Sequence, residues 1–170
     1  MDHKLYLRAL TPTLSKHERE PIIGLYYGRT GVEKLQLYIQ ALPDIVPQYP
    51  NFHAVIIAPT DEPQSNRWSK RQTSHTLHSQ IKQLLEDHIT WLAPVHNKQQ
   101  IKDWISVSDI VILPSLTEFG YAMHEVAMMN KKLVTASVGG QIETLSYNNI
   151  YWMSQVTSDE IIEGVQTLLQ

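Results

Sequence analysis

Two carboxylates, two cations and a glycine pair stand at turns of this chain where free backbone N–H groups can meet an anion. Glu118 lies just before Phe119-Gly120, and Glu125 follows seven positions after it. From Tyr121 the apolar positions Ala122, Val126 and Met129 keep helical spacing, and at about 100° per residue Glu125 falls on that same inward stripe. An ionised carboxylate there is costly unless it is paired or hydrogen-bonded, so Glu125 requires a partner that its apolar neighbours do not supply. A ligand hydroxyl would serve. Thr117 can cap the helix and Gly120 allows close backbone approach. The free N–H groups of the first turn, with the positive end of the macrodipole, make a phosphate seat. Gly139-Gly140 supplies a second turn open to a ligand. Upstream, Gly28-Arg29-Thr30-Gly31-Val32-Glu33-Lys34 has neither the Walker spacing nor the three-glycine dinucleotide fingerprint. Arg29 as a planar fork and Lys34 as a point charge can still grip a diphosphate; the alternative is that both are solvated surface residues.

The elements that must position these groups follow from apolar patterning. Ile22 to Tyr27 reads as a strand closed by Gly28, and a helix follows with Val32, Leu35, Ile39 and Leu42 as its stripe, stopping before Pro43. Phe52 to Ala58 is a second strand ended by Pro59. Thr60 to Ser74 is a long polar surface loop containing Trp68, and a helix spans about Thr76 to Glu86. Ile89 to Leu92 is a short third strand with Ala93 to Asn97 as its exit loop. The next helix buries Ile101, Trp104 and Ile105 and leads into the apolar run Asp109 to Leu113, ended by Pro114. Leu133 to Ser137 and Ile150 to Met153 complete the strands, and Ser158-Asp159-Glu160 starts a last helix. Strands alternating with helices predict a Rossmann-like, doubly wound, mainly parallel sheet with helices on both faces. Ligands of such sheets bind at strand carboxyl ends.

A chain of 170 residues with 42% apolar and 18% charged residues suits one globular domain. Residues 1–20 read as a linker or edge segment and 21–170 as the domain itself. The net charge of -3 argues against a nucleic-acid surface. The absence of cysteine excludes disulfides and thiol catalysis. His75 and His78 share a helix face with no acidic ligand near, so no metal site is expected. No apolar run is long enough to span a bilayer, and the start MDHKLYLRAL has no signal-peptide core, which makes a cytoplasmic location the expectation.

Taken together these residues resemble the C-terminal donor-binding domain of retaining, two-domain GT-B glycosyltransferases of the group-one family, also called glycogen-synthase-like or family-four. The landmarks run in the family's order from about Ile22 to Gln170: a GR-x4-K turn at Gly28, Arg29 and Lys34; SDIVILPS at Ser108 to Ser115; a glutamate followed by FG-x4-E; and a GG-x-x-E turn at Gly139, Gly140 and Glu143. Glu118 and Glu125 stand one residue closer than is usual in the family. Asn130 replaces a usual glycine, which suits a helix ending in a left-handed conformation, and Lys132 replaces a usual proline.

The resemblance implies that Arg29 and Lys34 contact a donor diphosphate and that Glu118 lies near the transferred sugar, these three forming the catalytic set. It implies that Phe119, Gly120 and Tyr121 offer N–H groups to phosphate or sugar, that Glu125 binds ribose hydroxyls, and that Val95 lies against the nucleobase. Gly28, Gly139 and Gly140 would give close backbone approach. The donor is then a nucleoside-diphosphate sugar, with no further cofactor and no metal, and the product belongs to glycan or cell-envelope polysaccharide synthesis. Transfer in GT-B enzymes occurs between two domains, so the acceptor half is expected in the same polypeptide or in a partner chain, through which the protein would reach the inner face of a membrane. His96 and His124 are expected to be ordinary surface residues. The rival readings are a sugar-nucleotide epimerase or phosphorylase on the same architecture, and a non-catalytic nucleotide-binding or scaffold module.

Overall fold

The apolar runs that read as strands pair in parallel, as strands of an α/β sheet should. The computed structural model describes residues 20–28, 32–58, 87–92, 97–114, 121–136 and 148–170. In chain order the elements are β1 (Ile22–Tyr27), α1 (Val32–Gln48), β2 (Phe52–Ile57), β3 (Ile89–Leu92), α2 (Lys98–Val107), β4 (Ile110–Leu113), α3 (Tyr121–Met128), β5 (Lys132–Ala136), β6 (Ile150–Met153) and α4 (Ser158–Leu169). The six strands form one sheet in the order β3-β2-β1-β4-β5-β6, every neighbouring pair parallel. The expectation of a mainly parallel, doubly wound sheet therefore holds. This is the doubly wound order in which the chain reverses direction between β1 and β4, and the crevice at that switch point is where such sheets receive ligands.

Strand residues alternate between two cores, one on each face of the sheet. Tyr26, Ile56, Ile110, Ile112 and Val134 pack with Leu35, Tyr38, Leu42 and Ile45 of α1 and with Ile161 and Val165 of α4. Leu25, Val55, Val111, Leu113 and Leu133 pack with Trp104 and Ile105 of α2 and with Met123 and Val126 of α3. The register at the switch point is clamped by Asp109. Its carboxylate accepts from the Ile23 N–H at 2.8 Å, while its own N–H donates to the Ile23 carbonyl at 2.9 Å.

One boundary departs from the sequence reading. The first helix does not stop before Pro43 but runs through Pro43 and Pro47 to Gln48. Each interior proline removes a backbone bond and strains the turn, at roughly 3 kcal/mol. Both prolines lie on the exposed side, while Ile45 is fully buried and Val46 nearly so. Burying two such side chains contributes about 1.5–3 kcal/mol each, which offsets the local penalty. The helix expected at 76–86, the loop at 60–74 with Trp68, and all but the last residue of the segment 1–20 lie outside the described residues.

The ends of α3 and α4 show how local chemistry sets boundaries. Asn130 has φ 52, its N–H donates to the Ala127 carbonyl at 2.9 Å, and the Lys131 N–H donates to the Val126 carbonyl at 3.3 Å. These two bonds make a Schellman ending, so asparagine does here what glycine commonly does. At α4, the Thr157 hydroxyl accepts from the Glu160 N–H at 3.2 Å, and the Glu160 carboxylate reaches back to the Ser154 hydroxyl at 2.6 Å and the Ser154 N–H at 2.8 Å.

The hydrogen bond from the Ser154 side chain, more than the backbone bonds, holds the Glu160 carboxyl below its ordinary value of 4.5. A lowered carboxyl pKa favours the folded state above the unfolded value, and that contribution is lost as pH falls through the folded one. The Ser154 and Gln155 amides, which donate to this carboxylate, are therefore expected to keep their exchange protection above pH 4.5 and to lose it on acidification below. In Glu160→Gln that step should disappear; an unchanged profile would show that the cap is not what titrates.

Candidate functional site

β1 ends at Tyr27-Gly28 and β4 at Leu113-Pro114, side by side across the switch point. Arg29 follows β1 in sequence, and α1 then carries Lys34, half-buried in its first turn. After β4 come Glu118, Phe119 and Gly120, then α3 opening at Tyr121. The strand ends that precede the two stretches singled out in the sequence thus lie on neighbouring parallel strands, at the same end of the sheet.

α3 is seated by Met123 and Val126, which are 1% and 0% exposed. The Met123 sulfur lies 2.8 Å from the Thr135 hydroxyl, which donates to the carbonyl of Leu113 at 2.9 Å, so the helix, β5 and the last residue of β4 are tied at one point. This refines the expected stripe: Met123 was not in it, and Glu125 sits not on its centre but on its flank. It is half-buried there, with Ala122 and Met129, which pack only partly against the core. A flank position explains how a carboxylate is tolerated on a helix that otherwise faces the interior. Among the described residues none hydrogen-bonds the Glu125 side chain.

The charge of Glu125 is felt at Tyr27. The Tyr27 hydroxyl donates to the Ala122 carbonyl at 3.1 Å, joining the last residue of β1 to the first turn of α3. Burial, and secondarily the negative charge of Glu125, push the Tyr27 hydroxyl well above the ordinary tyrosine range. The phenol is therefore a neutral donor at physiological pH. Tyr27 was missed by sequence reasoning, although a hydroxyl-bearing aromatic directly before the Gly28 turn was a signal available to it.

The structure thus brings together Gly28, at the end of β1, and Glu125, through Tyr27, and sets Lys34 in the helix that follows the Gly28 turn. Tyr121 opens α3 as expected. Arg29, Val95, Glu118, Phe119, Gly120, Gly139 and Gly140 lie outside the described residues. His124 is exposed, as expected, and His96 lies outside the described residues. Among the described residues no cluster of three or more histidine, aspartate or glutamate side chains could hold a metal ion, and no helix is long and apolar enough to cross a membrane.

Comparison with known proteins agrees with this fold. The structure matches HepE of Anabaena, solved in complex with UDP and glucose, at 20% identity and a TM-score of 0.69, over 99% of this chain and 42% of that one. It matches the C-terminal domain of a group 1 family glycosyl transferase, LpcC, from Francisella tularensis at 20% identity and a TM-score of 0.67, over 91% of this chain and 78% of that one. Sucrose-phosphate synthase from Thermosynechococcus elongatus matches at 17% identity and a TM-score of 0.71, over 99% of this chain and 39% of that one. At such identities the likeness is one of fold, and the chain spans about two-fifths of HepE and of the synthase. No curated protein sequence matches the chain. The family model for glycosyl transferases group 1 matches residues 21–170, and the chain belongs to that family.

Proposed function

We propose that this chain is the donor-binding domain of a retaining glycosyltransferase. It holds a nucleoside-diphosphate sugar at the β1 and β4 strand ends while an acceptor half, in the same polypeptide or a partner chain, presents the receiving hydroxyl. The observation that carries the reading is the half-buried Glu125, set beside the carboxyl end of β1 on a helix flank where no described residue hydrogen-bonds it. A ribose diol supplies the two hydroxyl donors that such a carboxylate accepts, and charge-assisted bonds of this kind are the stronger ones.

In this reading the diphosphate lies between the Gly28 turn and the start of α3. Arg29 and Lys34 neutralise the charge that grows on the leaving nucleoside diphosphate as the anomeric C–O bond breaks. Glu118 stands near the transferred sugar, the N–H groups of Phe119, Gly120 and Tyr121 meet phosphate or sugar, Val95 lies against the base, and Gly139-Gly140 lets backbone approach the sugar. HepE was solved with UDP and glucose, which makes uridine diphosphate the first ligand to try. The product would be a glycan or cell-envelope polysaccharide, made in the cytoplasm with the acceptor half reaching the membrane.

Titration of uridine, guanosine and adenosine diphosphates against the wild type and Glu125→Ala tests the assignment. Loss of two charge-assisted bonds should weaken the preferred nucleotide by about a hundredfold or more. Binding of none of the three, or binding indifferent to the substitution, would overturn the ribose role.

A further inference from the structure

Tyr27 and Ala122 are 95 residues apart in sequence, yet one hydrogen bond of 3.1 Å joins them across the switch point. Ala122 is the second residue of α3, and Glu125 follows it by three positions, one turn along the same flank. The Tyr27 ring packs partly against the core beneath α3, so the ring anchors the contact and the hydroxyl sets its length. On the other side, Tyr27 is bonded through the main chain to Gly28, the last described residue before Arg29 in sequence. The strand end that leads to Gly28 and the helix that carries Glu125 are thus separate segments that this phenol ties together.

We propose that Tyr27 is a positioning residue. Its hydroxyl, bonded to the Ala122 carbonyl, fixes the distance between the Gly28 turn and Glu125 and so sets the span from diphosphate to ribose that the site accepts. This rests on the nucleotide-binding reading above. The chemistry is suited to the task because the phenol stays protonated: burial and the nearby Glu125 charge oppose its ionisation, so the donor is not lost at neutral or mildly alkaline pH. A carbonyl oxygen has two lone pairs, which lets Ala122 accept from Tyr27 while remaining available to the helix.

The test compares wild type, Tyr27→Phe, Glu125→Gln and the double variant, using the tightest-binding of uridine, guanosine and adenosine diphosphates and, separately, inorganic pyrophosphate. Tyr27→Phe keeps the ring and removes only the oxygen. It should weaken the nucleoside diphosphate about two- to tenfold, leave pyrophosphate binding unchanged, and add nothing in the Glu125→Gln background. Equal affinity of wild type and Tyr27→Phe for the nucleotide overturns the proposal. So does an equal loss for nucleotide and pyrophosphate, which is what a merely structural contact would give. Wild-type protein that binds no nucleoside diphosphate overturns the underlying reading, and the positioning role with it.

Discussion

Replacing both Arg29 and Lys34 by alanine is expected to reduce affinity for nucleoside diphosphates and for inorganic pyrophosphate alike, by about a hundredfold or more. Each cation offers charge-assisted hydrogen bonds worth about 1.5–3 kcal/mol, and every 1.4 kcal/mol is about tenfold. The loss should shrink as salt is raised, since screening acts on the same interaction. Stability should move the other way. Lys34 sits in the first turn of α1, where the positive end of the helix macrodipole disfavours a cation by about 0.3–1 kcal/mol. Lys34→Ala should therefore leave the melting temperature unchanged or slightly raised while it weakens anion binding. A lysine kept only for solvation would leave anion binding unchanged on removal, and one that packs the helix would lower stability. Isothermal titration with pyrophosphate beside thermal melts of the same variants separates the three cases, and undiminished pyrophosphate binding by the double variant would refute the diphosphate role.

The strands were legible because a parallel sheet covered on both faces demands apolar runs, and Ile22–Tyr27, Ile89–Leu92 and Ile150–Met153 carry that demand within their own residues. The left-handed residue at Asn130 was anticipated through the resemblance, which has a usual glycine there, and the helix ending itself is decided by bonds to residues a turn away. What local pattern could not reveal depends on distant partners. The continuation of α1 through Pro43 and Pro47 is decided by the core that Ile45 joins, including Ile161 and Val165 at the far end of the chain. The seating of α3 by Met123 depends on a threonine of β5. Glu125 was readable as a misplaced carboxylate, but its place on the flank and its neighbour Tyr27 required the sheet order, which brings β1 beside β4. Site chemistry was visible as residue types; site geometry was a consequence of topology.

Gly24 is where topology and stability meet, and its substitution should have the largest effect on the fold. It lies in β1, which pairs with both β2 and β4 and so joins the two halves of the sheet. A Cβ added there would overlap the Phe52 ring, 2.9 Å from its Cε1, and would stand 2.7 Å from the Tyr38 hydroxyl. Neither ring has room to yield, since both are 0% exposed and Tyr38 is stacked on Tyr26 at 6.2 Å between centroids. The Tyr38 hydroxyl also donates to the Gly24 carbonyl at 3.0 Å, and displacing it would leave a buried donor without its acceptor. Overpacking costs about 1–3 kcal/mol and an orphaned buried donor about 1–3 kcal/mol more. Gly24→Ala should then lower the melting temperature by several degrees. Gly24→Val should come close to abolishing folding, because a domain's whole stability is only about 5–15 kcal/mol. Phe52→Leu, which shortens the obstructing ring, should partly rescue Gly24→Ala although it destabilises the wild type by itself. That reversal of sign is the decisive readout: if the two substitutions simply add, the close approach of α1 and β2 to the centre of β1 does not limit the stability of the sheet.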